Sequence, residues 1–381
     1  MSTYDYIIIG AGASGLLLAD ALGSDSFFKG KSILVLEKSS KTKNDRTWCF
    51  WERGAGEFDD ILHREWPKIH FGGKHLNINP EIAPYNYKML RGIDFYECYL
   101  KKLDIHSNIT LGQDEIKGLE EEDNFVSVLG EKETYQGLQV FDSRFDYKRV
   151  QKESKYPVLQ QHFLGWFIKT DRSVFDQETA SFMDFSIPQK GNTRFMYVLP
   201  LSPSEALVEY TLFSEDVLQK EEYEQAIRDY ILTKIGIEQY EITEMEQGNI
   251  PMTCYDFTQG NTNRILKIGT AGGWAKASTG YTFYSSVKKV KMLVSHLKNK
   301  RGLAAFGKKD RFWFYDLLLL DILHKNNHLG RSIFESLFKK RKPQLIFKFL
   351  DEDTHFLEEV YIMASPKPWP FIKALLNRLF S

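Results

Sequence analysis

The chain has 381 residues, a formal net charge of −1, and 43% apolar and 14% aromatic residues; this argues against disorder and gives no electrostatic bias toward nucleic acid. Cys49, Cys98 and Cys254 lack CxxC spacing and leave one over, so neither a disulfide framework nor a zinc site is expected, and a reducing, cytoplasmic setting fits. The longest greasy run, residues 312–323, is broken by Asp316 and Asp321 and falls short of the roughly 18 apolar residues that span a bilayer.

Residues 6–9 (Tyr-Ile-Ile-Ile) predict a buried strand, 10–15 a glycine turn, and 16–22 a helix. No basic segment followed by a cleavable apolar stretch precedes them, so no signal peptide is expected. The next strand, 32–36, ends at Glu37. Continuous apolar strands around a turn and helix predict a parallel βαβ unit buried on both faces. Residues 65–135 read as mixed, with a strand at 125–128 and a helix near 94–103. Residues 194–199 and 206–213 flank Pro200-Leu-Ser-Pro-Ser204 and predict a hairpin. A further strand, 265–268, leads into Gly269-Thr-Ala-Gly-Gly273, and residues after 282 read as helical.

Gly10-Ala-Gly12-Ala-Ser-Gly15 matches GxGxxG in the strand–turn–helix context that makes this pattern specific. Gly10 suits the tight turn, Gly12 the approach of a pyrophosphate to backbone, and Gly15 close helix packing. The helix N-terminus offers N–H groups to the diphosphate, and Glu37, 22 residues beyond Gly15, is placed to accept from an adenosine ribose. Ala11, Ser14, Lys38 and Arg46 complete this candidate set. Such a unit fits FAD or NAD. The later segment with Gly269, Gly272 and Gly273 favours FAD, although an ordinary strand-to-helix turn explains that segment equally simply. Asp142, ending another apolar run, reads either as a nucleotide neighbour or as a turn-capping residue.

Several stretches, in order, resemble the lycopene β-cyclase family: Asp45-Arg-Thr-Trp-Cys-Phe-Trp51, Phe163-Leu-Gly-Trp166, Met183-Asp-Phe185 and Arg194-Phe-Met-Tyr-Val-Leu-Pro-Leu-Ser-Pro203. Leu207-Val-Glu-Tyr-Thr211, Ile250-Pro-Met252, Ile268-Gly-Thr-Ala-Gly-Gly273 and Ser278-Thr-Gly-Tyr-Thr282 complete the series. The resemblance implies an α/β fold: a Rossmann-type FAD-binding domain of the flavin-hydroxylase kind, an inserted β-rich substrate domain and a helical C-terminal region. The boundaries it suggests are 1–60 and 261–300 for FAD binding, 61–155 mixed, 156–260 β-rich and substrate-binding, and 301–381 helical. It also implies reduced FAD, with NADPH or NADH as reductant, in a reaction without net redox change, a membrane-delivered acyclic carotenoid such as lycopene, and contacts with other carotenoid-pathway enzymes.

By this resemblance Glu209 is the catalytic acid, whereas two-residue alternation alone makes it a solvent-facing strand residue. Tyr210 stands where many relatives carry a second acid, which speaks against a carboxylate pair. Trp48, Trp51, Trp166 and Tyr281 are candidates to line the polyene site, with core packing the competing reading for each tryptophan. The string Phe356-Leu-Glu-Glu359 imitates a motif of plant relatives but lies in the helical tail, where Glu358 and Glu359 read as solvated helix charges.

Ring closure asks an acid to protonate an alkene, a very poor base, so the carboxyl must be held protonated in an apolar cavity. Two further readings share the sequence evidence: a flavin monooxygenase or geranylgeranyl-reductase-like enzyme, and a non-catalytic carotenoid-binding flavoprotein. An exposed Glu209 favours the last, a buried one opposes it. Residues 369–380 place Phe371, Ile372, Leu375, Leu376, Leu379 and Phe380 at helical spacing. This suits an interfacial helix giving peripheral membrane contact, or a terminal helix docked on the core.

Overall fold

The computed structural model describes residues 3–307 and 309–380. Strand Thr3–Ile9 lies between Ile33–Glu37 and Thr134–Asp142, parallel to both, and Ile109–Gln113 extends the sheet in parallel beyond Ile33–Glu37. Ile265–Lys267 joins the C-terminal end of Thr134–Asp142 in parallel, whereas Val126–Gly130 and Ile116–Glu121 add antiparallel strands on its other half. Both faces of the central strands are covered, as their unbroken apolar runs require. Helices Ala13–Ser24, Gly92–Leu103 and Phe283–Lys298 pack Leu16, Phe95 and Val287 over one face, and Ile7, Leu34 and Val128 fill the other.

A second seven-stranded sheet runs in the order Glu241–Thr253, Val158–Lys169, Glu205–Ser214, Thr193–Ser202, Thr179–Asp184, Lys68–Gly72, Asn77–Ile78. The hairpin expected at 194–213 is its centre, with Tyr197 opposite Glu209. Alternation along these strands divides the side chains. Trp166, Val208 and Tyr210 pack under helix Lys220–Tyr230 on one face. On the other, Phe182, Phe195 and Phe213 meet the C-terminal helices through Phe334, Phe338 and Phe347. A small third sheet, Thr47–Arg53 and Arg64–Trp66 on either side of Tyr85–Arg91, leans on that second face.

The helical tail departs from expectation at one residue. Glu358 is held at the start of helix Phe356–Met363 in a capping box with His355, and pairs with Lys348 at 2.7 Å. Glu359, read from sequence as solvated, is fully buried and accepts a forked hydrogen bond from Arg311 at 2.8–2.9 Å and another from Tyr315 at 3.0 Å. It fell on the inner face of a short helix whose boundaries sequence alone did not fix. The Arg311 hydrogen bonds hold its carboxyl below the ordinary range. Arg311→Leu is therefore expected to lower the Tm at pH 7, by leaving a buried carboxylate without its partner. A depressed native pKa stabilises above the unfolded pKa and is lost on acidification, so the gap between variant and wild type should narrow toward pH 4 in calorimetric melts.

Candidate active site

The turn from Ile9 into helix Ala13–Ser24 has the form its glycines demand. Gly10 adopts φ +98°, where a side chain is strained and a Cβ would sit 2.1 Å from Ser143 Oγ. Gly15 presses against the turn so closely that a Cβ would lie 1.9 Å from the Gly10 carbonyl oxygen, whereas Gly12 faces open space. The helix has no side-chain cap and no acidic residue in its first turn, leaving its N–H groups and positive dipole end to an external anion. Glu37 accepts from the Ala11 N–H at 2.7 Å and from Ser39, fixing its carboxylate at the edge of this turn.

A cavity of about 580 Å³ opens at Gly12 to Gly15 and runs without interruption to Glu209. Arg46, paired with Asp45, and Trp48 line its near part, as do Gly269 and Thr270. Gly269 adopts φ +59° with Ser14 packed against it, and Ser14 Oγ lies 3.0 Å from Ser286 Oγ. Gly272 and Gly273 lie outside this cavity: their missing side chains make room for the Lys267 carbonyl and the Phe257 ring. Lys38 is exposed and away from the cavity wall. Asp142 is fully buried and paired with Arg144 at 2.9 Å and Lys267 at 2.6 Å, which accounts for it structurally. Uncapped helix N–H groups, an open Gly12 and an acidic residue closing the second strand fit the diphosphate and ribose of a dinucleotide.

At the far end, one row across the second sheet carries Glu246, Gly165, Glu209 and Tyr197 on neighbouring strands. Gly165 matters because it lies between two carboxylic acids and offers no side chain. A Cβ there would approach Leu207 Cδ1 to 2.8 Å and Glu209 Cβ to 3.3 Å. The Glu209 and Glu246 carboxyl groups come within hydrogen-bonding reach across the gap. Thr211 Oγ1 donates to Glu209 at 2.5 Å, and Thr47 Oγ1 to Glu246 at 2.7 Å.

Burial, then the neighbouring Glu246 charge, pushes the Glu209 carboxyl well above the ordinary carboxylate range, against the Thr211 hydrogen bond. Desolvation and the Glu244 charge raise Glu246 too, with the Thr47 hydrogen bond and the Arg91 charge pulling the other way. Tyr87 and Tyr197, both buried, and the half-buried Tyr281 surround the pair, and removal from water raises all three phenols. The Tyr197 and Tyr281 hydroxyls are 3.5 Å apart.

Of the aromatic residues singled out from sequence, Tyr281 and Trp48 line the cavity. Trp48 also packs edge-on against Phe95 and Tyr96. Trp51 lies behind Tyr281, stacked on Phe347 at 4.7 Å with its indole N–H donating to Asp351 at 2.8 Å. Trp166 does not line the cavity. It follows Gly165, so alternation sends it to the opposite face under Arg228, with the ring 5.1 Å away. Tyr210 is on that same far face, accepting from Arg194 at 2.7 Å. Glu246 and Gly165 escaped the sequence reading; the one available signal was Glu244-Met-Glu246, whose alternation looks like a wet edge strand.

The fold is that of flavin-dependent monooxygenases, halogenases and reductases. A geranylgeranyl bacteriochlorophyll reductase-like protein from Thermoplasma acidophilum superposes with a TM-score of 0.62 at 12% identity, covering 99% of both chains. The p-nitrophenol 4-monooxygenase PnpA from Pseudomonas putida gives 0.58 at 14% identity over 99% and 98%. The halogenase PltM, solved in complex with FAD, gives 0.59 at 11% over 92% and 82%. The sequence places the chain more narrowly: residues 5–376 match the model of the lycopene cyclase protein family, and the chain belongs to that family. It is also 23% identical over 295 residues to a lycopene beta-cyclase from Pantoea ananas, covering 73% of this chain and 71% of that one.

Proposed function

We propose that this protein is an FAD-dependent lycopene β-cyclase that closes the acyclic ends of lycopene to β-ionone rings, with Glu209 as the acid. The observation that carries this reading is the buried Glu209 carboxyl, held toward its protonated form in a cavity continuous with the nucleotide turn. Family membership supplies the substrate class. Gly12 and the first turn of helix Ala13–Ser24 would hold the diphosphate, Glu37 the ribose, and Gly269 with Thr270 the stretch leading toward the ring. Reduced flavin, with NADPH or NADH as its source of electrons, supplies negative charge near a developing cation and no electrons to product.

The chain's own residues do the rest. Glu209 gives its proton to the terminal alkene, and the resulting tertiary cation is attacked by the neighbouring alkene. Loss of a proton then leaves the ring double bond. Tyr87, Tyr197, Tyr281 and Phe163 line the cavity; aromatic rings there would favour a cation, and with the polyene bound their bulk would help keep out the water that would otherwise trap it. Purified protein with lycopene liposomes and reduced FAD should yield an isomer of unchanged mass and shortened conjugation. Nicotinamide consumption in proportion to product indicates a reductase or monooxygenase instead.

A water-insoluble substrate requires contact with a bilayer, and the tail is built for it. Among the described residues, ten of the nineteen exposed large hydrophobic side chains lie between Phe356 and Phe380. Helix Pro368–Leu379 docks through Phe371, Ala374 and Leu375 and the Arg378–Asp321 ion pair, yet exposes Trp369, Ile372, Leu376 and Leu379. No helix among the described residues is long and apolar enough to cross a membrane. This outer face supports peripheral contact with a bilayer. Replacing Trp369, Leu379 and Phe380 together by Glu should cut co-sedimentation with liposomes about tenfold or more, each lost large side chain being worth about 1.5 kcal/mol or more, with the Tm unchanged. Undiminished liposome binding rules this surface out.

A further inference from the structure

We propose that Glu246 is the second member of a proton-sharing carboxyl pair with Glu209, keeping the acid proton on Glu209 and placing a fixed negative charge beside the cation that forms. This inference rests on the reading of Glu209 as the acid. Its basis is geometric. The two glutamates flank Gly165 from the two adjoining strands, on the same face of the sheet, with no side chain between them. Residues adjacent on a strand face opposite ways, so an acid at position 210 would not enter this cavity. The partner comes instead from the edge strand Glu241–Thr253.

Two carboxyls this close, Glu209 buried and Glu246 half-buried on the cavity wall, disfavour a double negative charge at neutral pH, and their surroundings decide which one keeps the proton. Each accepts from a threonine, Glu246 from Thr47 and Glu209 from Thr211; beside Glu246 the Glu244 carboxylate opposes its anion and the Arg91 guanidinium favours it, whereas Glu209 is the more deeply buried of the two. Arg91 is itself paired with Glu244. Glu209 faces Cys49, Tyr197 and Tyr281, with Tyr87 in the same wall, and none of these offers a positive charge. The resting pair therefore carries one proton, on Glu209. In turnover that proton goes to the terminal alkene, a carbon–carbon bond closes the ring and leaves the cation on the methyl-bearing ring carbon, and the proton lost from the adjoining ring carbon that carries the polyene chain returns to the pair. The pair ends with the one proton it started with, and nothing is oxidised or reduced.

The test is the pH dependence of cyclisation by the reduced holoenzyme. Activity requires protonated Glu209, so it falls as pH rises through that group's native pKa. Glu246→Gln removes the neighbouring charge, and the alkaline limb should move down by about one pH unit or more; Glu246→Asp should restore it in part. A limb unmoved in Glu246→Gln overturns the pair. Infrared difference spectra of wild type against Glu209→Gln give a second reading that sets aside the other carboxyls raised by desolvation, Asp316 and Asp351: the difference carbonyl band should titrate in two steps more than about one unit apart. A single step overturns the pair as well. Wild-type turnover by Glu209→Gln overturns the acid assignment itself, whatever Glu246 does.

Discussion

Glu209→Gln should lose cyclisation by about a thousandfold or more while retaining flavin and fold. General acids contribute roughly 10²–10⁴ in rate, and the upper part of that range applies because an alkene has no lone pair for water to protonate cheaply. The amide keeps the shape of the carboxyl and its hydrogen bond with Thr211 but has no proton of comparable acidity. Stability provides the control. Burial and Glu246 raise the Glu209 pKa in the native state, so the native chain holds a proton that the unfolded chain releases above about pH 4.3. By linkage, native stability then falls as pH rises, up to the native pKa. Removing the titrating group should leave the Tm at pH 8 equal to or above wild type. An inactive variant that melts several degrees lower points to misfolding, and an active one removes Glu209 from the mechanism.

Gly15→Ala should purify with its flavin affinity lowered by more than tenfold, a loss of about 1.4 kcal/mol of binding. The added Cβ would lie 1.9 Å from the Gly10 carbonyl oxygen, a backbone atom. Helix Ala13–Ser24 must therefore tilt away from the turn, carrying its N–H groups off the diphosphate. Gly12→Ala separates packing from ligand approach. Nothing lies within 4 Å of its new methyl group, so the apoprotein Tm should stay put while flavin binding weakens. Flavin absorbance per chain, read beside melting curves of the stripped proteins, checks both. Full flavin content in Gly15→Ala contradicts the assignment of this turn.

The first half of the site was legible because its physics is local. A strand of isoleucines, glycines at fixed offsets and an acid at the next strand's end specify a turn whatever the rest of the chain does. The hairpin around Pro200–Ser204 was legible for the same reason. What lay hidden depends on strands distant in sequence. Glu246 sits on an edge strand with charged residues at 241, 244 and 246, and only its pairing beside Val158–Lys169 brings it, half-buried, against Thr47 of the third sheet. Gly165 is one glycine among 26 until the register shows two acids converging on it. For want of the same register Trp166 stayed between cavity and core: a one-residue step along a strand exchanges one for the other. Glu359 shows the converse, a charge that looks wet until Arg311 and Tyr315 arrive from another helix.

Deuterium labelling tests the central claim most directly. With an excess of protein exchanged into D₂O and supplied with lycopene liposomes and reduced FAD, the first ring closed at each site should carry one deuterium, on the carbon that took the acid's proton, beside the new quaternary centre. Glu209→Gln should form neither ring nor label. Rings free of deuterium, or a product that has gained two hydrogens at the expense of nicotinamide, contradict a carboxylic acid as the initiator.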